Sequence, residues 1–106
     1  MRTDVACEKL IEIVPIIEEL RPKLKADEKF QDIIKNFKST GDEKKDNIGI
    51  VLKIIPSLLG DYKEYTYKIV AIMSDKTVED VKAQSFSETI NSIKNILSDG
   101  DLVRFF

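Results

Sequence analysis

Apolar side chains recur at spacings of three and four along most of the chain, which is the period of an amphipathic α-helix. The clearest set, Phe30, Ile33, Ile34 and Phe37, occupies positions i, i+3, i+4 and i+7. Glycine and proline, which break helices, are scarce, at four and three residues. The pattern therefore predicts an all-α fold, a compact bundle of about five to six helices in one domain over residues 1–106.

Polar residues that favour helix N-termini divide the chain into these helices. The segment from Thr77 to Asp80 has the form of a capping box, and Gly60 and Gly100 are suitable helix stops. The expected N-terminal positions are, in chain order, Thr3 or Asp4, Asp27, the polar stretch 39–46, Asp61, Thr77, and Ser85 or Ser87.

Two of the predicted helices contain an internal proline. Pro15 lies in the first helix and Pro56 in the third, and we expect each to bend or interrupt its helix because proline lacks a backbone N–H. The first helix is expected to end near Arg21 and Pro22. The fold is thus predicted to include two proline-interrupted helices.

The last three helices are shorter, and their apolar faces are predicted from the same spacing. The fifth is expected to be brief. The faces assigned to the fourth and sixth are Tyr65, Ile69, Ile72 and Met73, and Phe86, Ile90, Ile93 and Leu97.

Charge and composition remove several classes of function. The formal net charge is −2 with mixed signs along the chain, so no basic stripe points to a nucleic-acid partner. No apolar run approaches the roughly 20 residues that span a bilayer, so we expect no membrane association, and the first residues predict no secretion signal. The one cysteine, Cys7, allows no internal disulfide, which favours a cytoplasmic protein.

The polar residues form no recognisable reactive site. Histidine is absent from the sequence, which removes the commonest general base and metal ligand. The acidic clusters, such as Asp42, Glu43 and Asp46, lack the spacing of a calcium loop and are expected to be solvated. Without a histidine to activate it, Cys7 is expected to be a small packing residue. We predict no catalytic, cofactor-binding or metal-binding residue and no cofactor, hence not an enzyme.

Aromatic residues give the first candidate for binding a protein partner. Tyr62, Tyr65 and Tyr67 cluster near the start of the fourth helix. Aromatic side chains supply much of the energy of protein interfaces, so Tyr62 and Tyr65 are candidate contacts. The alternative is that these tyrosines cover the edge of the core.

The end of the sequence gives the second candidate. Leu102, Val103, Phe105 and Phe106 follow Gly100, whereas terminal segments are usually polar. Two interpretations remain open. Either the segment docks on its own core, or Leu102, Phe105 and Phe106 contact a partner.

Four segments in order resemble those of phage tail assembly chaperones, small helical proteins of long-tailed bacteriophages. The first is IVPIIEEL at 13–20, an opening helix with a late proline, and the second is IIPSLL at 54–59, followed by a tyrosine-bearing helix. The third is IVAIMSDKTVEDV at 69–81, similar to a helix–turn–capped-helix unit. The fourth is DGDLVRFF at 99–106, with the double-Phe ending seen in such chains.

The resemblance implies a role without catalysis. Such chaperones bind the long, helical, apolar tape-measure protein and recruit the tail-tube subunits that displace them. The partners implied are therefore tape-measure and tail-tube proteins in the bacterial cytoplasm, and homo-oligomerisation remains open. Many family members also have a longer, frameshifted form.

Two other functions are compatible with a small helical chain. One is a transcriptional regulator or anti-repressor, for which residues 66–83 are the best helix–turn–helix candidate. A recognition helix there would bring Lys68, Lys76 and Lys82 together with Asp75, Glu79 and Asp80, whose charges repel phosphate. The other is a generic protein-binding adaptor.

Overall fold

The computed structural model describes residues 2–98, and the candidate residues Leu102, Phe105 and Phe106 lie outside them. The described residues contain helices and no strand, which confirms the all-α prediction and its helix number. The helices are α1 (Thr3–Ala26), α2 (Glu28–Lys35), α3 (Glu43–Leu58), α4 (Lys63–Ser74), α5 (Val78–Ala83) and α6 (Phe86–Ser98).

Side-chain caps explain why several of these helices begin where they do. The Asp27 carboxylate accepts a hydrogen bond from the Phe30 backbone N–H at 3.0 Å, which starts α2. At α5 the backbone N–H of Asp80 donates to the Thr77 hydroxyl at 3.1 Å, and the Thr77 N–H donates back to the Asp80 carboxylate. The predicted start of α2 and the capping box are therefore confirmed.

The start of α1 at Thr3 agrees with the prediction, but the predicted side-chain cap is not formed. Arg2 occupies the N-cap position without a side-chain cap, so Thr3 and Asp4 lie inside the first turn. Asp4 is still favourable there, because a carboxylate near a helix N-terminus interacts well with the helix dipole.

The prolines of α1 do not end the helix. It continues through Pro15 and Pro22 to Ala26, so the predicted end near Arg21 and Pro22 was wrong. Both prolines are exposed. They stand seven residues apart, about two helical turns, and so lie on the same side of the helix. Because this side faces solvent, water can hydrogen bond to the carbonyls that lack an N–H partner.

Pro56 lies close to a helix end, since α3 stops two residues later at Leu58. The chain then turns tightly, and the Gly60 N–H donates to the Ser57 carbonyl at 3.2 Å. A Cβ atom on Gly60 would stand 2.8 Å from the Pro56 carbonyl oxygen, which explains the glycine.

The core forms around α4, which packs against α1, α3, α5 and α6. Because α4 has neighbours on several sides, the apolar face predicted for it is only half-buried, and Thr66, Val70 and Ala71 are the buried residues instead. In α6 the predicted Phe86 is 67% exposed, whereas Ile96 is buried. The main core cluster consists of Val51, Ile55, Val70, Ala71, Val81, Ile93 and Ile96.

A buried lysine joins the first half of α1 to the end of α4. The Lys9 ammonium donates to the Met73 carbonyl at 2.8 Å and pairs with the Asp75 carboxylate at 3.3 Å. Asp75 has left-handed backbone angles (φ 55°, ψ 42°) at the C-cap of α4. Lys9 therefore supplies a donor to a last-turn carbonyl, a group that a helix cannot satisfy by itself.

Candidate functional site

An open apolar groove lies where five of the helices meet, with a cavity volume of about 180 Å³. Nearly all of the surface inside it belongs to carbon atoms. We call it the apolar groove, and its lining residues are Ile17, Leu20, Arg21, Leu24, Phe30, Ile54, Leu58, Thr66, Ile69, Val70, Ile93, Ile96 and Leu97.

The lining residues differ in depth. Val70 is almost fully buried, whereas Ile17, Leu24 and Ile69 are half-buried and remain accessible from outside. Arg21 is exposed. The groove thus has a packed base and an accessible rim.

The hydroxyl group among the lining residues, that of Thr66, is already hydrogen bonded within the fold. The hydroxyl of Thr66 hydrogen bonds to the carbonyls of Leu58 at 2.7 Å and Tyr62 at 3.1 Å. Since a satisfied hydroxyl gains little from an external polar group, the groove favours an apolar occupant.

The volume limits what such an occupant can be. A cavity of about 150 Å³ lined by Leu, Ile and Phe holds one benzene molecule, whereas drug-sized ligands occupy pockets of about 300–1,000 Å³. The groove therefore suits one aromatic side chain, or one or two aliphatic ones. Side chains presented by a polypeptide match this volume better than a cofactor does.

Tyr62 lies inside the fold. It is 8% exposed, its hydroxyl donates to the Asp27 carboxylate, and its ring meets that of Phe30 edge-on at 6.5 Å. This geometry favours the alternative in which the tyrosine covers the core. Tyr65 is half-buried, and its hydroxyl donates to the Glu19 carboxylate at 3.2 Å. Neither tyrosine lines the apolar groove.

The hydrogen bond between Tyr62 and Asp27 shifts the pKa of both groups. The Tyr62 hydroxyl, with help from the Phe30 backbone N–H, lowers the pKa of Asp27 below 3.8. The Asp27 carboxylate, together with burial, raises the pKa of Tyr62 from 10.0 to about 12. This bond joins α4 to the start of α2, next to Phe30 in the groove.

These shifts predict a pH dependence of stability with two limbs. The contribution of Asp27 to the free energy of unfolding is present above pH 3.8 and is lost as the pH falls through the lowered pKa. The contribution of Tyr62 is present below pH 10.0 and is lost as the pH rises through about 12. We expect Tyr62→Phe to flatten both limbs, as measured by urea unfolding across pH. Tyr65→Phe is the control and should keep both. Identical pH slopes in Tyr62→Phe and the unaltered protein would contradict the assignment.

Asp46 organises the loop before α3. Its carboxylate accepts hydrogen bonds from the Ser39 hydroxyl at 2.6 Å and from the Thr40 N–H and hydroxyl at 2.8 Å. These bonds, led by that from Ser39, lower the pKa of Asp46. In residues 2–98 no three or more His, Cys, Asp or Glu side chains are grouped as a metal site requires.

Cys7 corrects one prediction. It is exposed on α1 rather than packed, because the buried side of this helix is the one that carries Lys9 and Ile13. Its sequence position near a helix start gave no information about which side it occupies.

The helix–turn–helix candidate at 66–83 is formed by most of α4, a turn and α5. The first turn of α5 carries Glu79 and Asp80, both exposed. The ammonium of the exposed Lys82 stands 5.9 Å from the centre of the Tyr67 ring, a cation–π contact between α5 and α4. The segment therefore presents acidic groups where a recognition helix would approach phosphates.

The described part of the chain offers other molecules a small apolar groove. None of the helices within residues 2–98 has the length and apolar character needed to cross a bilayer. Comparison with known proteins finds no family model, no curated protein and no solved structure that matches this chain.

Proposed function

We propose that this protein is a non-enzymatic, protein-binding chaperone of the phage tail assembly type, which holds apolar helices of a tape-measure protein in the apolar groove. It would act in the cytoplasm of the bacterial host and pass its client to tail-tube subunits. The observation that carries the proposal is the groove itself, with half-buried aliphatic side chains at its rim and its threonine hydroxyl already bonded.

A helix is the form of partner that fits the groove. Amphipathic helices bind by placing apolar anchors, spaced three and four residues apart, into a groove between helices of another protein. Here α1, α4 and α6 provide such walls, and the volume accepts one or two anchor side chains at a time. An apolar helix of a tape-measure protein repeats such anchors along its length.

The size of the groove also fits reversible binding. Burying one large apolar side chain contributes about 1.5–3 kcal/mol, and association costs at least about 4 kcal/mol in lost freedom of motion. A single contact is therefore weak, and firm retention requires several chaperones along one client or several contacts at once. Weak, repeated contacts allow tail-tube subunits to displace the chaperone.

The proposal predicts that a charge placed among the aliphatic residues of the groove weakens client binding. We expect Leu24→Lys to weaken binding of a tape-measure helical fragment at least about tenfold, because the lost side-chain burial exceeds about 1.4 kcal/mol. The measurement is isothermal titration calorimetry with a fragment of the tape-measure protein encoded with this chain. Leu24 is half-buried, so the fold should tolerate the change.

Ile11→Lys is the matched control. Ile11 lies on the same helix, is also aliphatic, and is 74% exposed outside the groove. The Ile11→Lys variant should bind the fragment with the affinity of the unaltered protein and should have the same circular dichroism spectrum. Equal affinities for Leu24→Lys and Ile11→Lys would remove the groove from the proposal, and no binding by the unaltered protein would refute the proposed client.

A further inference from the structure

Lysine side chains lie beside the apolar groove. Residues three and four apart on an α-helix are neighbours on its surface, so a residue at that spacing from a lining residue stands next to the groove. Within the helices of residues 2–98, the charged residues at this spacing that do not themselves line the groove are Lys23, Lys25, Lys63, Lys94 and Glu18. We call the four lysines the basic rim.

The basic rim comes from three different helices. Lys23 and Lys25 belong to α1, Lys63 to α4 and Lys94 to α6, so positive charge borders the groove on three of its walls. Lys94 is half-buried and the other three are exposed. In the described part of the chain, no carboxylate forms an ion pair with any of the four. Their ammonium groups therefore remain available to a partner.

Fewer carboxylates lie beside the groove. Glu18 is exposed on α1. Asp27 precedes α2 close to the lining residue Phe30, and its carboxylate already accepts hydrogen bonds from the Tyr62 hydroxyl and the Phe30 N–H. Even with Asp27 included, lysines outnumber these carboxylates four to two. The surroundings of the groove are thus positive, whereas the chain as a whole has a net charge of −2.

We propose that the partner held in the apolar groove is an acidic amphipathic helix, whose apolar anchors enter the groove while its flanking Asp and Glu side chains face the basic rim. The inference rests on the proposed function, because it specifies the chemistry of the same client. Complementary charge around an apolar contact speeds association and selects among partners, while apolar burial supplies most of the affinity. A tape-measure protein would therefore be held through those apolar helices whose polar positions carry carboxylates.

Three synthetic helical peptides test the charge of the partner. All three carry the same leucine anchors spaced three and four residues apart, and their polar positions are filled with glutamate, lysine or glutamine. Fluorescence anisotropy with the full chain gives the affinities, and methyl shifts of Leu24 and Ile96 report occupancy of the groove. Because an exposed ion pair changes affinity by up to about fivefold and several act together, we expect the glutamate peptide to bind at least about tenfold more tightly than the lysine peptide. This ratio should shrink between about 0.1 M and 1 M salt, which screens exposed charges.

Charge reversal in the basic rim is the second measurement. Lys25→Glu/Lys63→Glu should lower affinity for the glutamate peptide about tenfold at about 0.1 M salt. The matched control is Lys44→Glu/Lys45→Glu, which changes the net charge equally at exposed positions. Lys45 lies nine residues before Ile54, the first lining residue of α3. That is about 14 Å along the helix, beyond the Debye length of about 10 Å. The control should bind within about twofold of the unaltered protein, and both variants should keep its circular dichroism spectrum.

The outcomes separate this inference from the proposed function. Equal affinities of the three peptides, with shifts of the lining methyl groups, would overturn the acidic partner and leave the groove as a helix-binding site. Equal losses in the two double variants would assign the preference to net charge and overturn the role of the basic rim. Binding that leaves the methyl groups of Leu24 and Ile96 unshifted, or no binding by any of the peptides, would refute the groove and this inference together.

Discussion

Replacing Ile13 by alanine is expected to lower the free energy of unfolding by about 3 kcal/mol, a large part of the stability of a domain of this size. Ile13 is 1% exposed on α1, the helix that packs on α4 and lines the groove. The loss has two sources, the transfer free energy of the removed methyl groups and the cavity left behind. Urea unfolding followed by circular dichroism measures it, and the melting temperature should fall by about 10 °C or more.

Ile11→Ala is the matched control for this prediction. It makes the same chemical change two residues earlier on the same helix, at a position that is 74% exposed. We expect a change within about 0.5 kcal/mol, since exposed substitutions rarely cost more. Comparable losses at Ile11 and Ile13 would show that α1 packs on a different face from the one described.

Replacing Lys9 by methionine is expected to cost about 2 kcal/mol. Methionine keeps most of the apolar volume but leaves the Met73 carbonyl without the donor at 2.8 Å. A part-buried acceptor that loses its partner costs about 1–3 kcal/mol. The measurement is again urea unfolding, with Lys23→Met on the exposed part of α1 as the control.

A third variant separates the two bonds of Lys9. The side chain of Asp75 is 83% exposed, so its ion pair with Lys9 should contribute little. Asp75→Asn keeps a residue that tolerates left-handed backbone angles, and we expect it to cost less than about 0.5 kcal/mol. A larger loss in Asp75→Asn than in Lys9→Met would assign the stabilisation to the ion pair instead of the carbonyl.

Much of the fold is local and could be predicted from the sequence. The period of apolar residues depends on neighbours within one helix, and the caps at Asp27 and Thr77 act within three residues. These signals gave the helix number and several starts correctly. They failed for α4, because a helix with neighbours on several sides has no single buried face, and for the end of α1, because the exposed Pro22 does not stop the helix before Ala26.

The candidate site was less predictable because it depends on contacts between distant parts of the chain. The spacing marks Ile17, Leu20 and Ile93 as apolar, but only the packing of the helices shows that a space remains between them. Lys9 gave no signal, because lysine is almost never buried and its partner Met73 lies 64 residues away. Tyr62 and Tyr65 look alike in sequence, and their different depths arise from tertiary packing.

The two prolines of α1 have a consequence for association between copies of the chain. Proline offers no N–H, so the carbonyls of Ile11 and Glu18, four residues earlier, have no helical donor and depend on water. Ile11 and Val14 are exposed on the same helix, and by themselves these apolar side chains would favour a water-free contact with another copy of the chain. Covering that surface would strip water from two carbonyls at about 1–3 kcal/mol each. That cost opposes a water-free contact between two copies of α1 on this side, even though Ile11 and Val14 are exposed there.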